Sequence, residues 1–173
     1  NKSIPIYSGV FGSKVSARRW NLSFVWQVDL STLENYTGSG PSCVDASGNV
    51  YYVYSLTTGY KMAKRNAAGT LLWTVSISFD TVISMAVADS TLCILGEDSG
   101  QGFLKSYTNA GVYIESATLP VSDANYDRVW RVVVQDWHTG SLVFVAGSKH
   151  NKAAPYDWQE VIICYDLTDL SVE

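Results

Sequence analysis

The chain has little charge, no large basic cluster and no long apolar run, and each shortage excludes something. Only 16% of its 173 residues are Asp, Glu, Lys or Arg, 47% are hydrophobic, and the net charge is −4. That hydrophobic content argues against a disordered chain. No basic cluster is larger than Arg18-Arg19 or Lys64-Arg65, so no stripe of cations is present to neutralise a phosphate backbone, and nucleic acid is not an expected partner. No apolar stretch approaches the ~20 residues that span a bilayer, so membrane insertion is not expected. Asn1-Lys2-Ser3-Ile4-Pro5 has no signal-peptide apolar core; without an initiator Met, the chain reads as a processed or partial piece of something longer.

Chemical machinery is equally sparse. Cys43, Cys93 and Cys164 each sit in an apolar strand-like run with no CxxC pair, and they read as buried thiols packing as small hydrophobes. His138, in a hairpin turn, and His150, in a polar loop, have no Cys, Asp or His at a metal-ligand spacing. Asp123 with Asp127, and Asp166 with Asp169, have the spacing of oxygen ligands but lack the Gly and Glu of a calcium loop, so they read as turn caps. There is no Gly-x-Ser-x-Gly nucleophile elbow and no phosphate-cradling loop; Gly38-Ser39-Gly40-Pro41 and Gly100-Gln101-Gly102 look like strand connections. The expectation is a protein that is not an enzyme, with no catalytic or metal residues and no cofactor. Asn1, Asn21 and Asn35 head Asn-x-Ser/Thr triplets, which matter only in a eukaryotic secretory setting.

What is present is a repeat. Val44-Asp45-Ala46-Ser47-Gly48-Asn49-Val50-Tyr51-Tyr52-Val53-Tyr54 leads to Asn66-Ala67-Ala68-Gly69-Thr70-Leu71-Leu72-Trp73. A second copy runs from Val87-Ala88-Asp89-Ser90-Thr91-Leu92-Cys93-Ile94-Leu95 to Thr108-Asn109-Ala110-Gly111-Val112-Tyr113-Ile114. Val50 matches Leu92 and Gly69 matches Gly111, both 42 residues apart. A third copy starts at Arg131-Val132-Val133-Val134, turns at His138-Thr139-Gly140 and continues through Leu142-Val143-Phe144-Val145 to Val161-Ile162-Ile163-Cys164-Tyr165. Ahead of the first, Phe24-Val25-Trp26-Gln27-Val28 reads as the last strand of a preceding unit, because Trp26 holds the place of Trp73.

Each unit reads as four short strands rich in Val, Ile, Tyr and Trp, with Gly placed where a tight turn needs positive φ. Four strands in about 42 residues is the spacing of a β-propeller blade, so the expected fold is all-β, with a β-sandwich as the alternative. The expected layout is an N-terminal extension or linker over residues 1–21, then propeller-like repeats over 22–173. These comprise an outer strand at 22–30 and units at 42–78, 82–119 and 128–167. About three blades and one strand make an incomplete ring, completed by further blades of the same protein or by other protein chains.

Gly48-Asn49-Val50-Tyr51 and Gly69-Thr70-Leu71-Leu72-Trp73 resemble bacterial or phage β-propeller repeats of the quinoprotein-like (PQQ-like) or SBBP type. The resemblance covers roughly residues 22 to 167. It implies a ring of blades with tryptophans docking one blade onto the next, a part that fits Trp26 and Trp73. The calcium site and catalytic Asp of the quinone-dependent enzymes have no counterpart that maps onto this sequence.

Aromatic residues make up 13% of the chain, and Trp130, Trp137, Tyr156 and Trp158 gather in the third unit. The loop from Ser148 to Trp158 is the candidate interaction surface, with Asn151, Lys152, Tyr156, Asp157 and Trp158 as its residues. Aromatic groups on a loop stack on sugars or anchor protein partners, and long loops on rigid scaffolds carry function. The expected role is a non-catalytic structural or protein-interaction module of a larger assembly, extracellular, cell-surface or virion-associated. A carbohydrate- or ligand-binding propeller and a fragment of a quinoprotein-type enzyme are the alternatives.

Overall fold

The computed structural model describes residues 6–19, 24–88, 90–120, 122, 126–135, 142–153, 157–166 and 169–172. These form four antiparallel sheets, each a meander in chain order, and the fold is all-β. The first sheet holds β1 (Ile6–Phe11), β2 (Lys14–Arg19) and β3 (Phe24–Asp29). The second holds β4 (Tyr36–Val44), β5 (Val50–Leu56), β6 (Gly59–Arg65) and β7 (Leu71–Ile77). The third holds β8 (Thr81–Ala88), β9 (Thr91–Asp98), β10 (Gln101–Thr108) and β11 (Tyr113–Thr118), and the fourth β12 (Tyr126–Gln135), β13 (Leu142–Asn151) and β14 (Trp158–Asp166). The chain divides into two compact units, Asn1–Asp80 and Thr81–Glu173, each built of two sheets.

The turns explain the strand boundaries. At Asn66 the backbone N–H donates to Thr70 O (3.0 Å) and Gly69 N–H donates to Asn66 O (2.9 Å). The Asn66 side chain accepts from the N–H groups of Ala68 (3.0 Å) and Thr70 (2.9 Å). Thr108 repeats the device with its hydroxyl, accepting from Ala110 (3.3 Å) and Val112 (3.1 Å). Asp45 does so with its carboxylate, accepting from Ser47 and Asn49 (both 2.9 Å). Each turn closes on a glycine with positive φ: Gly48 at 80°, Gly69 at 88° and Gly111 at 82°. A short side-chain acceptor and a left-handed glycine are what this turn needs, and Asp, Asn and Thr each supply the acceptor.

In the first unit, Ile6–Phe11 and Lys14–Arg19 pair with each other, and β2 pairs with β3, so the stretch expected as an extension or linker contributes two strands. β3 is the last strand of its sheet, as the Trp26 match suggested. Its indole lies on the next sheet: a Cβ built on Gly69 would fall 2.7 Å from Trp26 Cγ. Val15, Ala17 and Leu30 pack with Val50, Tyr52, Tyr54 and Ala63 to form the shared core, and β1 lies against β4.

In the second unit, β12 lies against β8, where Val133 N–H donates to Ser84 Oγ (3.3 Å). Cys93, Leu95, Leu104 and Leu119 pack against Trp130, Val133, Val143, Val145, Tyr165 and Leu170. The Trp130 indole N–H donates to Pro120 O (3.1 Å), and Gly147 carries no side chain where one would meet the Val129 carbonyl and the Trp130 ring. A bulge between Trp130 and Val132 shifts the register of β12 on β13.

Candidate functional site

Equivalent hairpins differ sharply in length. Phe11 pairs with Lys14, Leu56 with Gly59 and Asp98 with Gln101, so β1–β2, β5–β6 and β9–β10 each close in a two-residue turn. The β13–β14 hairpin, the second-to-third strand connection of its sheet if β12 is counted first, last pairs His150 with Trp158, with seven residues of sequence between them. An insertion at one hairpin of a repeated scaffold marks a place where the repeat serves something other than its own packing.

Residues of the candidate surface fall at this hairpin, with corrected boundaries. Ser148 to Asn151 are in β13 rather than in a loop, because β12 and β14 both offer backbone partners that extend the ladder past its apolar stretch. Asn151 N–H donates to Asp157 O (3.2 Å), and its side chain accepts from Ala153 N–H (3.0 Å), holding the base of the turn. Lys152 is exposed at the turn. The Asp157 carboxylate accepts from Gln159 Nε2 at 3.3 and 3.4 Å. Trp158 opens β14 and is 54% exposed. Tyr156 lies outside the described residues, as do His138, Trp137 and Asp123, and the side chain of Asp127 is not described either.

His150 is the member that sequence reasoning missed. It stands across from Trp158 with ring centroids 4.7 Å apart and planes 23° from parallel, so the two rings form one stacked platform at the mouth of the loop. Its distance of eight positions from Trp158 in the chain gave no sign of this, since the pairing depends on the loop length. Trp130, by contrast, is a core residue.

Elsewhere the polar groups serve turns. Asp169 accepts from Ser171 N–H (2.9 Å), and the Ser171 hydroxyl and backbone donors hold its carboxyl below the usual carboxylate range. Asp166 donates its N–H to Ser171 O (2.9 Å). The Ser31 and Ser13 hydroxyls, with Ser31 N–H, lower Asp29 in the same way. Tyr51 is fully buried between Lys64, whose Nζ lies 4.9 Å from its ring centre, and Trp73; burial and the Asp45 carboxylate raise its phenol. Burial pushes Cys93 up to about 12, and no disulfide joins the three cysteines. Gly38 to Pro41 lie in the bulged β4, and Gly100 turns β9 into β10. Among the described residues, no three His, Cys, Asp or Glu side chains gather as a metal site, and no helix is long and apolar enough to cross a membrane.

No protein-family model and no curated protein matches the sequence. Solved structures do match in fold. A protein of unknown function from Bacteroides caccae aligns at 12% identity and a TM-score of 0.53, over 97% of this chain and 71% of its own. A quinonprotein alcohol dehydrogenase-like protein from Bacteroides thetaiotaomicron aligns at 14% identity and a TM-score of 0.57, over 94% of this chain. This chain spans only 40% of the length of that second structure. At these identities the likeness is one of fold.

Proposed function

We propose that the chain is a stretch of β-propeller blades acting as a non-catalytic interaction module in a larger assembly, outside the cytoplasm, and that it meets its partner through the β13–β14 hairpin. The observation that carries this is the contrast between the three two-residue hairpins and the β13–β14 hairpin, whose last paired residues, His150 and Trp158, have seven residues of sequence between them, with Trp158 half exposed. Blade packing gives the loop a rigid base, and an exposed tryptophan supplies a large, stiff contact that loses little conformational freedom on binding. The seating of Trp26 over Gly69 supports the blade reading, as does the packing of β1 on β4 and of β12 on β8.

The test is to change Trp158→Ala in the native protein and to replace residues 151–157 with a two-residue turn in a second variant. Loss of the native complex on a sizing column, with circular dichroism unchanged, supports the proposal. A complex that persists through both changes refutes it.

A second reading, a glycan-binding propeller, is favoured by the His150–Trp158 platform with the amide and carboxylate groups of Gln159 and Asp157 next to it. Sugars bind by laying C–H faces on an indole while carboxylates and amides take their hydroxyls. A glycan panel read by tryptophan fluorescence separates the two readings.

A further inference from the structure

We propose that the outward face of the sheet β12-β13-β14 is the docking site of a further antiparallel sheet of the same polypeptide, which the chain reaches through a fourth strand that completes this sheet at the β14 edge. This rests on the blade reading above. The second strands of two sheets are buried on both faces: Val50 to Tyr54 in β5 and Leu92 to Gly96 in β9 have no exposed member. β13 differs. Its buried residues alternate, with Val143 and Val145 in the core while Phe144 and Ala146 on the other face are only half-buried. The register places Val132 and Ile162 on either side of Ala146, and these are 40% and 69% exposed. A row of three apolar residues across the middle of a sheet, uncovered on one side, is what a packed neighbour leaves when it is absent.

The edge gives the same answer independently. After β14, Leu170 N–H donates to Asp166 O (2.8 Å), Asp166 N–H donates to Ser171 O (2.9 Å), and Val172 bridges antiparallel to Tyr165. The turns at Asn66 and Thr108 make the same two kinds of bond in a loop one residue shorter, and they deliver Leu71 into β7 and Tyr113 into β11. Val172 therefore takes the place of the first residue of a fourth strand, and Leu170, buried in the core, locks the turn. A strand delivered by this turn occupies the β14 edge at a high effective concentration, so a second copy of the chain would have to displace it.

Hydrogen exchange read by mass spectrometry tests the proposal on the 173-residue chain and on the native protein from its source. The β14 amides not bonded to β13 are expected to exchange about 100-fold more slowly in the native protein. Ile162→Asp should leave the melting temperature of the 173-residue chain unchanged and lower that of the native protein. Equal β14 exchange in both would overturn the proposal. So would a dimer of the 173-residue chain that Ile162→Asp disperses, because the occupant would then be a second copy. Trp158→Ala run alongside leaves β14 exchange unaltered, so failure of the loop as a partner site is read separately.

Discussion

Gly69 lies directly under the indole of Trp26: a Cβ at residue 69 would come within 2.7 Å of Cγ and 3.0 Å of Cδ1 of that ring. The contact joins the last strand of one sheet to the β6–β7 turn of the next, and the turn exists because residue 69 adopts a φ of 88°. One glycine thus meets two demands, a left-handed backbone and room for a tryptophan.

Gly69→Ala is expected to cost about 3 kcal/mol, the sum of a left-handed alanine and an overpacked contact. Gly100→Ala is the control. Its φ is 77° but nothing lies within 4 Å of the added Cβ, so only the backbone cost of about 1 kcal/mol should appear. Urea unfolding of both variants measures the difference. Equal losses would mean that Trp26 does not bear on Gly69.

The side-chain acceptors at the repeated turns predict a matched pair. Asn66→Ala and Thr108→Ala each remove an acceptor for two backbone N–H groups, and each should lower stability by about 1 kcal/mol. Thr108→Asn should keep the turn, because asparagine fills that role at residue 66. The midpoint of urea unfolding decides.

Stability should fall on the alkaline side. Burial raises Cys93 to about 12 and Tyr107 to about 12, and it raises Tyr54 and Tyr165 as well. Each folded-state pKa lies above the unfolded one, so the folded form holds protons that the unfolded form has lost. The stabilisation is complete below pH 9, begins to decline as the unfolded thiol titrates, and declines more steeply above pH 10 as the unfolded phenols follow. Tyr107→Phe should make the slope between pH 10 and 12 shallower by up to one proton. A stability that is flat from pH 8 to 12 would contradict this.

Two tryptophans of the second unit should respond oppositely. Trp130→Ala removes a side chain only 6% exposed and its hydrogen bond to Pro120, with an expected loss of about 4 kcal/mol. Trp158→Ala changes an exposed residue and should cost under about 1 kcal/mol while abolishing partner binding. Thermal melts and sizing of the native complex read the two effects separately.

The sequence was most informative where the repeat is tight. The 42-residue offset located β5 to β7 and β9 to β11, and the glycines at 48, 69 and 111 all take positive φ. Trp26 marked the last strand of the first sheet. β1 and β2 escaped notice because Ser8, Gly9, Gly12, Ser13 and Ser16 dilute the apolar alternation, and cross-strand pairing rather than local propensity holds them. In the last sheet, the bulge in β12 and the lengthened β13–β14 hairpin break the 42-residue spacing. Ser148 to Asn151 therefore read as loop, and the stacking of His150 on Trp158 stayed hidden. The candidate surface was legible in its composition but not in its geometry.

Native mass spectrometry of the protein from its source decides whether the chain is a blade-bearing part of a larger assembly. A particle well above 19.0 kDa is expected, whether from a longer chain or from bound partners. A stable monomer of 19.0 kDa would contradict it.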